Sequence, residues 1–147
     1  PALARALGRW MARAGAELFT DNPLVIPVPL HRGRLWQRRF NQSALLAIAI
    51  AKHTRADLCL DALERLRRTE RQVGLSRRDR ARNVRGAFRI SEQGAAAVNG
   101  RRIVLVDDVI TTGSTATACT HVLKRAGATS VDVLAFALAE ADQPVGA

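Results

Sequence analysis

The stretch RIVLVDDVITTGST, residues 102–115, restricts the fold more than any other part of the sequence. Its apolar run from Ile103 to Val106 is short and rich in β-branched side chains, so 102–106 reads as a buried strand. A loop over 107–114 follows, and then a helix over 115–126 with Ala116, Cys119, Val122, Leu123 and Ala126 turned inward. Lys124 and Arg125 in the last turn and Gly127 beyond it end that helix. SVDVLAFALA then makes a nearly continuous apolar strand over 130–138, the pattern of a parallel sheet covered on both faces. Strand, helix and strand in this order form a βαβ unit. The predicted class is α/β, a mostly parallel sheet with helices on both faces.

In such sheets ligands bind beyond the carboxyl ends of the strands, where Asp107 and Asp108 are expected. The next residues, Thr111, Thr112, Gly113, Ser114 and Thr115, meet a helix N-terminus. Free backbone N–H groups and the helix dipole make such a terminus an anion site. A carboxylate repels a phosphate, but it accepts hydrogen bonds from sugar hydroxyls or helps to hold Mg²⁺ through water. A phosphorylated sugar satisfies both features at once. The loop matches neither GxxxxGK[ST] nor GxGxxG. For any single residue of the string, ordinary N-capping accounts for its presence; the whole string after a hydrophobic strand favours a ligand.

The rest of the chain reads as follows. An amphipathic helix is expected over 2–19, with Leu3, Leu7, Trp10, Met11, Ala14 and Leu18 on one face and Gly8 and Gly15 weakening it. DNP at 21–23 is a turn. LVIPVPL at 24–30 is a buried strand whose prolines place it near an edge or at a strand end. A second helix is expected from Arg34 to His53, with Trp36, Phe40, Ala44, Ala47, Ile48 and Ala51 on one side. Trp10, Trp36 and Phe40 are assigned to the core. Residues 57–66 suggest a strand, AFRI at 87–90 another, and EQGAAAVNG a connector.

The 147 residues suit one domain, 1–147. The formal net charge of +10 is localised: residues 31–85 hold 15 Lys/Arg against 5 Asp/Glu, while the remainder balances. A basic block of this kind binds polyanions or simply forms a solvated face. Its most polar part, 67–86, is long enough to be functional. No apolar run is long enough for a membrane span, and no signal peptide is visible. Cys59 and Cys119 form no CxxC pair; Cys119 is expected to be a buried, inert thiol, and a reducing cytosol fits. Pro1 is not an initiating Met, which leaves a longer precursor open.

RIVLVDDVITTGST closely resembles the phosphoribosyl pyrophosphate (PRPP) signature of type I phosphoribosyltransferases. VPVPLHRGRLWQRRFNQS (26–43) and RTERQVGLSRRDRARNVRGAF (68–88) occur with it in the same order in ComF-type proteins, a family linked to natural competence. The resemblance implies that Asp107 and Asp108 contact the ribose hydroxyls and that Thr111 to Thr115 cradle the 5′-phosphate. It implies a pyrophosphate loop at Leu30, His31 and Arg32. The basic segment 67–86 becomes a mobile hood, with Arg67, Thr69 and Gln72 as its ligand contacts. Mg²⁺ is the implied cofactor, held by Asp107 and Asp108 directly or through water. Asp107, Asp108 and Arg67 are the catalytic candidates, orienting the sugar and neutralising the leaving group; His31 divides between ligand contact and a structural role. ComF-type proteins commonly start with a four-cysteine zinc module, which this sequence lacks. Purine-salvage members carry a third acid where Thr111 stands, so a purine acceptor is not expected.

The activity implied is transfer of a phosphoribosyl group from PRPP to an unidentified acceptor, in the cytoplasm. The rival readings are a non-catalytic factor binding single-stranded DNA through Arg34, Arg38, Arg39 and the Arg77 to Arg85 cluster, and a PRPP-sensing regulator. Oligomeric state is left open.

Overall fold

The computed structural model describes residues 2–30, 41–66 and 86–139. Four strands form an all-parallel sheet in the order β2-β1-β5-β6: β1 (Leu24–Pro27), β2 (Asp57–Leu58), β5 (Arg102–Ile110) and β6 (Ser130–Leu138). Two further strands, β3 (Leu63–Arg65) and β4 (Phe88–Ile90), pair antiparallel beside it. Helices α1 (Ala2–Ala14) and α2 (Gln42–Thr54) cover one face; α3 (Glu92–Val98) and α4 (Ser114–Arg125) lie on the other with the small sheet. The expected α/β architecture is thus observed.

The period-two alternation of β5 separates two cores. Ile103 and Leu105 join Leu123 and Cys119 of α4, together with Phe88 and Val98. Val104 and Val106 join Met11 of α1 and Leu46, Ala47 and Ile50 of α2. Pro27 is tolerated in an inner strand because β2 pairs only with Leu24 and Val25, so no ladder donor is lost on that side.

Several expectations are corrected. The first helix stops at Ala14, and a 3-10 turn, Ala16–Phe19, replaces its last turns. Its buried residues are Gly8, Met11 and Ala12, while Trp10 is 65% exposed. The cause is a close approach: a Cβ on Gly8 would lie 2.5 Å from that of Ala49, so the glycine, not the indole, faces α2. Asn41 caps α2, its side chain accepting from the Ala44 N–H, and the helix starts at Gln42; the expected helical stretch 34–40 lies outside the described residues. Ile48 on that helix is exposed. Trp36 and Phe40 lie outside the described residues.

Residues 57–66 hold two short strands in place of one, and the expected connector at 92–98 is helix α3, capped by Ser91. The β6 strand pairs with β5 alone among the described residues, and Val133, Phe136 and Leu138 are exposed, so both-face coverage fails there. An unbroken apolar run does not distinguish an inner strand from an edge. No described helix is long and apolar enough to cross a membrane.

Candidate functional site: two joined hollows at the end of the sheet

The site arises where two neighbouring strands end at different heights. The β1 strand pairs with β5 only as far as Pro27 with Val106, and the Val28 N–H still donates to the Val106 carbonyl before the chain turns away. The β5 strand continues to Ile110, held by β6 through Asp107 with Ala135, Val109 with Ala137 and Ile110 with Leu138. The expected loop at 107–110 is therefore strand. The helices following β1 and β5 also lie on opposite faces, so the crevice between them is the topological switch point where α/β sheets bind ligands.

Asp107 stands at this step and is only 8% exposed. Its Oδ1 accepts from the Ser43 hydroxyl at 3.3 Å and from the Asp108 N–H at 2.9 Å. Burial, and then the hydrogen bond and charge of Asp108, push its pKa from 3.8 up to about 6; the Asp108 N–H and Ser43 work in the opposite direction. Asp108 is half-buried, and its Oδ1 accepts from the Val109 N–H at 2.8 Å. Behind the pair, Cys119 is wholly buried. Burial first, then the Asp107 charge, raise its thiol to about 12, with Arg65 acting against them. It is the inert thiol expected from its helical position.

Two hollows meet at Asp107. One, about 280 Å³, is lined by Asp107, Val109 and 110–116. It therefore brings together Thr111, Thr112, Gly113, Ser114 and Thr115, as expected. Gly113 adopts φ 81°, a conformation that glycine takes without strain, and it occupies the N-cap of α4 without a side-chain cap. The Thr112 hydroxyl instead lies 2.9 Å from that of Ser114 and accepts from the Ser114 N–H at 3.3 Å. Gly113 has no side chain with which to cap α4, so the Thr112 hydroxyl takes the first helical N–H, whereas Asn41 and Ser91 cap α2 and α3 themselves.

The second hollow, about 660 Å³, is lined by Val28, Pro29, Leu30, Asn41, Gln42, Ser43, Arg65, Asp107, Asp108, Val109 and Thr115. Leu30, a residue of the expected pyrophosphate loop, lines this hollow. His31, Arg32, Arg67, Thr69 and Gln72 lie outside the described residues. Sequence reasoning missed Arg65, Ser43 and Asn41. Arg65 ends β3, with its guanidinium carbon 5.2 Å from the centre of the Phe88 ring on the paired strand. The Leu66 N–H donates to the Ala87 carbonyl at 2.7 Å, extending the β3–β4 pairing past Arg65.

Adjacent carboxylates with hydroxyl neighbours are hard oxygen donors, and Asp108 raises the cost of ionising Asp107. The set fits Mg²⁺ held partly through water and ligand oxygens. It fits sugar hydroxyls equally well.

The phosphoribosyl transferase domain family matches residues 1–145, and the chain belongs to it. It is 42% identical over 109 residues to the DNA utilization protein YhgH of Escherichia coli O157:H7, covering 74% of this chain and 46% of that protein. It is 36% identical over 118 residues to Competence protein F of Haemophilus influenzae, covering 78% and 50%. The chain thus spans about half the length of these curated relatives. The fold is similar to that of a glutamine PRPP amidotransferase from B. subtilis complexed with ADP and GMP, at a TM-score of 0.59 and 28% identity, covering 88% of this chain and 25% of that one. These similarities agree with the ComF-type resemblance.

Proposed function

We propose that this chain binds PRPP with Mg²⁺ and transfers its phosphoribosyl group to an acceptor. The observation that carries this reading is the position of Asp107. It borders both a hollow built on the N-terminus of α4 and a larger one shared with Asp108 and Arg65. The 5′-phosphate is assigned to the amides and hydroxyls of Thr111 to Thr115, and the ribose hydroxyls to Asp107 and Asp108. The pyrophosphate is assigned to the larger hollow by Leu30, where Arg65 joins His31, Arg32, Arg67, Thr69 and Gln72 of the proposed loop and hood.

In the reaction the bond from C1′ to the pyrophosphate oxygen breaks, one from C1′ to the acceptor forms, and the acceptor loses a proton. Negative charge grows on the departing pyrophosphate. Cations fixed beforehand stabilise that charge without reorganising, and no covalent nucleophile is needed. Bound Mg²⁺ would supply further positive charge at the same oxygens. Asp107 and Asp108 orient the sugar, and closure of the hood would exclude water.

Calorimetric titration of PRPP in the presence of Mg²⁺ tests the site. Asp107→Asn/Asp108→Asn is expected to weaken binding at least about 100-fold, since hydrogen bonds to charged groups contribute roughly 1.5–3 kcal/mol each. Equal affinity in this variant would refute the assignment. Arg65→Gln is expected to lower the affinity for inorganic pyrophosphate about tenfold, with Arg65→Lys intermediate because a point charge cannot make a two-pronged contact. A pyrophosphate titration unaffected by either change would remove Arg65 from the site.

The names of the relatives support a second reading, a role in competence and DNA handling, with single-stranded DNA as partner. Failure of the parent chain to bind PRPP, together with salt-sensitive binding of single-stranded DNA, would favour it. Binding of PRPP without pyrophosphate release against nucleobase and amine acceptors would favour a sensor.

A further inference from the structure

The start of α2 touches both halves of the proposed PRPP site. Asn41, at its N-cap, makes two different bonds with one side chain. Its Oδ1 accepts from the Ala44 N–H at 3.3 Å, and its Nδ2 donates to the Val28 carbonyl at 3.4 Å. A backbone N–H can only donate and a carbonyl can only accept, so these partners fix which way the amide points. Val28 is buried and lies where the chain leaves the sheet for the expected pyrophosphate loop. Its N–H donates to the Val106 carbonyl at 2.9 Å. The residue is therefore held by β5 on one side and by Asn41 on the other. Two positions past Asn41, the buried Ser43 hydroxyl donates to Asp107 Oδ1 at 3.3 Å. Asn41 and Ser43 both border the larger hollow.

We propose that Asn41 is a positioning residue for the pyrophosphate half and that the start of α2 sets the spacing between the two halves. This role presupposes the PRPP reading and names the residues that align each half. Asn41 fixes the direction in which the chain departs from β1 toward Leu30, His31 and Arg32. Pro29 narrows that direction further, because the residue before a proline is confined to extended backbone. Ser43 fixes Asp107, which is assigned to the ribose. The two side chains stand on consecutive residues of one capped helical turn, so the halves keep their spacing while that turn is intact. PRPP breaks between these halves, at the bond from C1′ to the pyrophosphate oxygen. A fixed spacing keeps the leaving group aligned as that bond opens. Ordinary capping explains only the bond to Ala44. Asp, Ser or Thr would cap as well, but none of them carries an acceptor and an N–H donor on separate atoms.

The test separates the halves with two probes, inorganic pyrophosphate and ribose 5-phosphate, each titrated calorimetrically in the presence of Mg²⁺. Asn41→Ser is the diagnostic variant. Serine caps a helix as well as asparagine does, but its side chain is one atom shorter and falls short of a carbonyl already 3.4 Å from the amide. This variant is expected to bind pyrophosphate about fivefold to tenfold more weakly, the scale of one lost hydrogen bond, and ribose 5-phosphate as the parent does. Ser43→Ala should show the reverse pattern, severalfold weaker for ribose 5-phosphate and unchanged for pyrophosphate. Asn41→Ala loses the cap as well as the bond to Val28. It should melt below Asn41→Ser and yet weaken pyrophosphate no further. Equal losses of both probes in Asn41→Ser, or no loss of either, overturn the role of Asn41 and leave the PRPP site standing. Pyrophosphate affinity that falls in step with melting temperature from Asn41→Ser to Asn41→Ala overturns it too, because stability alone would then explain the effect. Loss of pyrophosphate affinity in Ser43→Ala overturns the division between the halves. A parent that binds neither probe overturns the PRPP reading itself, and the spacing role with it.

Discussion

Asp107→Asn should melt about 3–6 °C above the parent at pH 7.5 while binding PRPP at least about tenfold more weakly. The two effects share one cause. In the folded chain burial and Asp108 hold the carboxyl at about 6 instead of 3.8. Between those values the folded protein keeps a proton that the unfolded chain has released, so stability falls as pH rises through the window and stays reduced above it. The full shift corresponds to about 3 kcal/mol; with relaxation and partial hydration, about 1–2 kcal/mol is the reasonable expectation. Asparagine has the same shape, and its Oδ1 can still accept from Ser43 and the Asp108 N–H. Melting curves from pH 4.5 to 8 should therefore slope downward for the parent and flatten for the variant. Ligand binding has the opposite sign, because sugar hydroxyls and Mg²⁺ favour the ionised carboxylate. Relative to Asp107→Asn, parent affinity for PRPP should rise about tenfold from pH 5 to pH 7 and then level off. A variant less stable than the parent at pH 7.5 would show that the carboxylate is not the costly group.

Local pattern made part of this site legible and long-range packing concealed the rest. Ile103 to Val106, Gly113 and the inward face of α4 announce themselves within a few residues, and the βαβ unit follows. The continuation of β5 past Asp107 depends on pairing with Ala135 to Leu138, which the loop-like string TTGST gives no reason to expect. The partner of Asp107 is Ser43, 64 residues earlier, and Arg65 reaches the hollow from a separate small sheet. Nothing in the spacing of these residues links them. Periodicity also found α1 but misjudged its face, because a glycine can mark a buried contact as well as an apolar side chain can. The same blindness hid α3: alanines and a glycine resemble a linker, although Ser91 and Glu92 carry a helix-start signal.

That glycine leads to the second large effect: Gly94→Ala should lower the melting temperature by about 5–10 °C. On an exposed helix the change would stabilise by about 1 kcal/mol. Here a Cβ would sit 2.5 Å from the Ala62 carbonyl oxygen and 2.7 Å from its Cα, both backbone atoms of a fully buried residue. The backbone there has little freedom to retreat. The Ser91 N–H donates to the same carbonyl at 2.8 Å, and the Ser91 hydroxyl donates to the Asp61 carbonyl at 2.8 Å. Forcing α3 off Ala62 costs about 2–3 kcal/mol, the usual scale of overpacking. The displacement passes directly into β3, whose first residue is Leu63 and whose last is Arg65. Gly94→Ala should therefore also weaken pyrophosphate binding severalfold, although residue 94 lines neither hollow. Ala96→Gly, at an exposed position of the same helix, is the control. It should cost only about 1 kcal/mol of helix propensity and leave pyrophosphate binding intact. If Gly94→Ala proved as stable as the parent, α3 would not rest on the segment that leads into β3. If it were unstable but bound pyrophosphate normally, the position of Arg65 would not depend on α3.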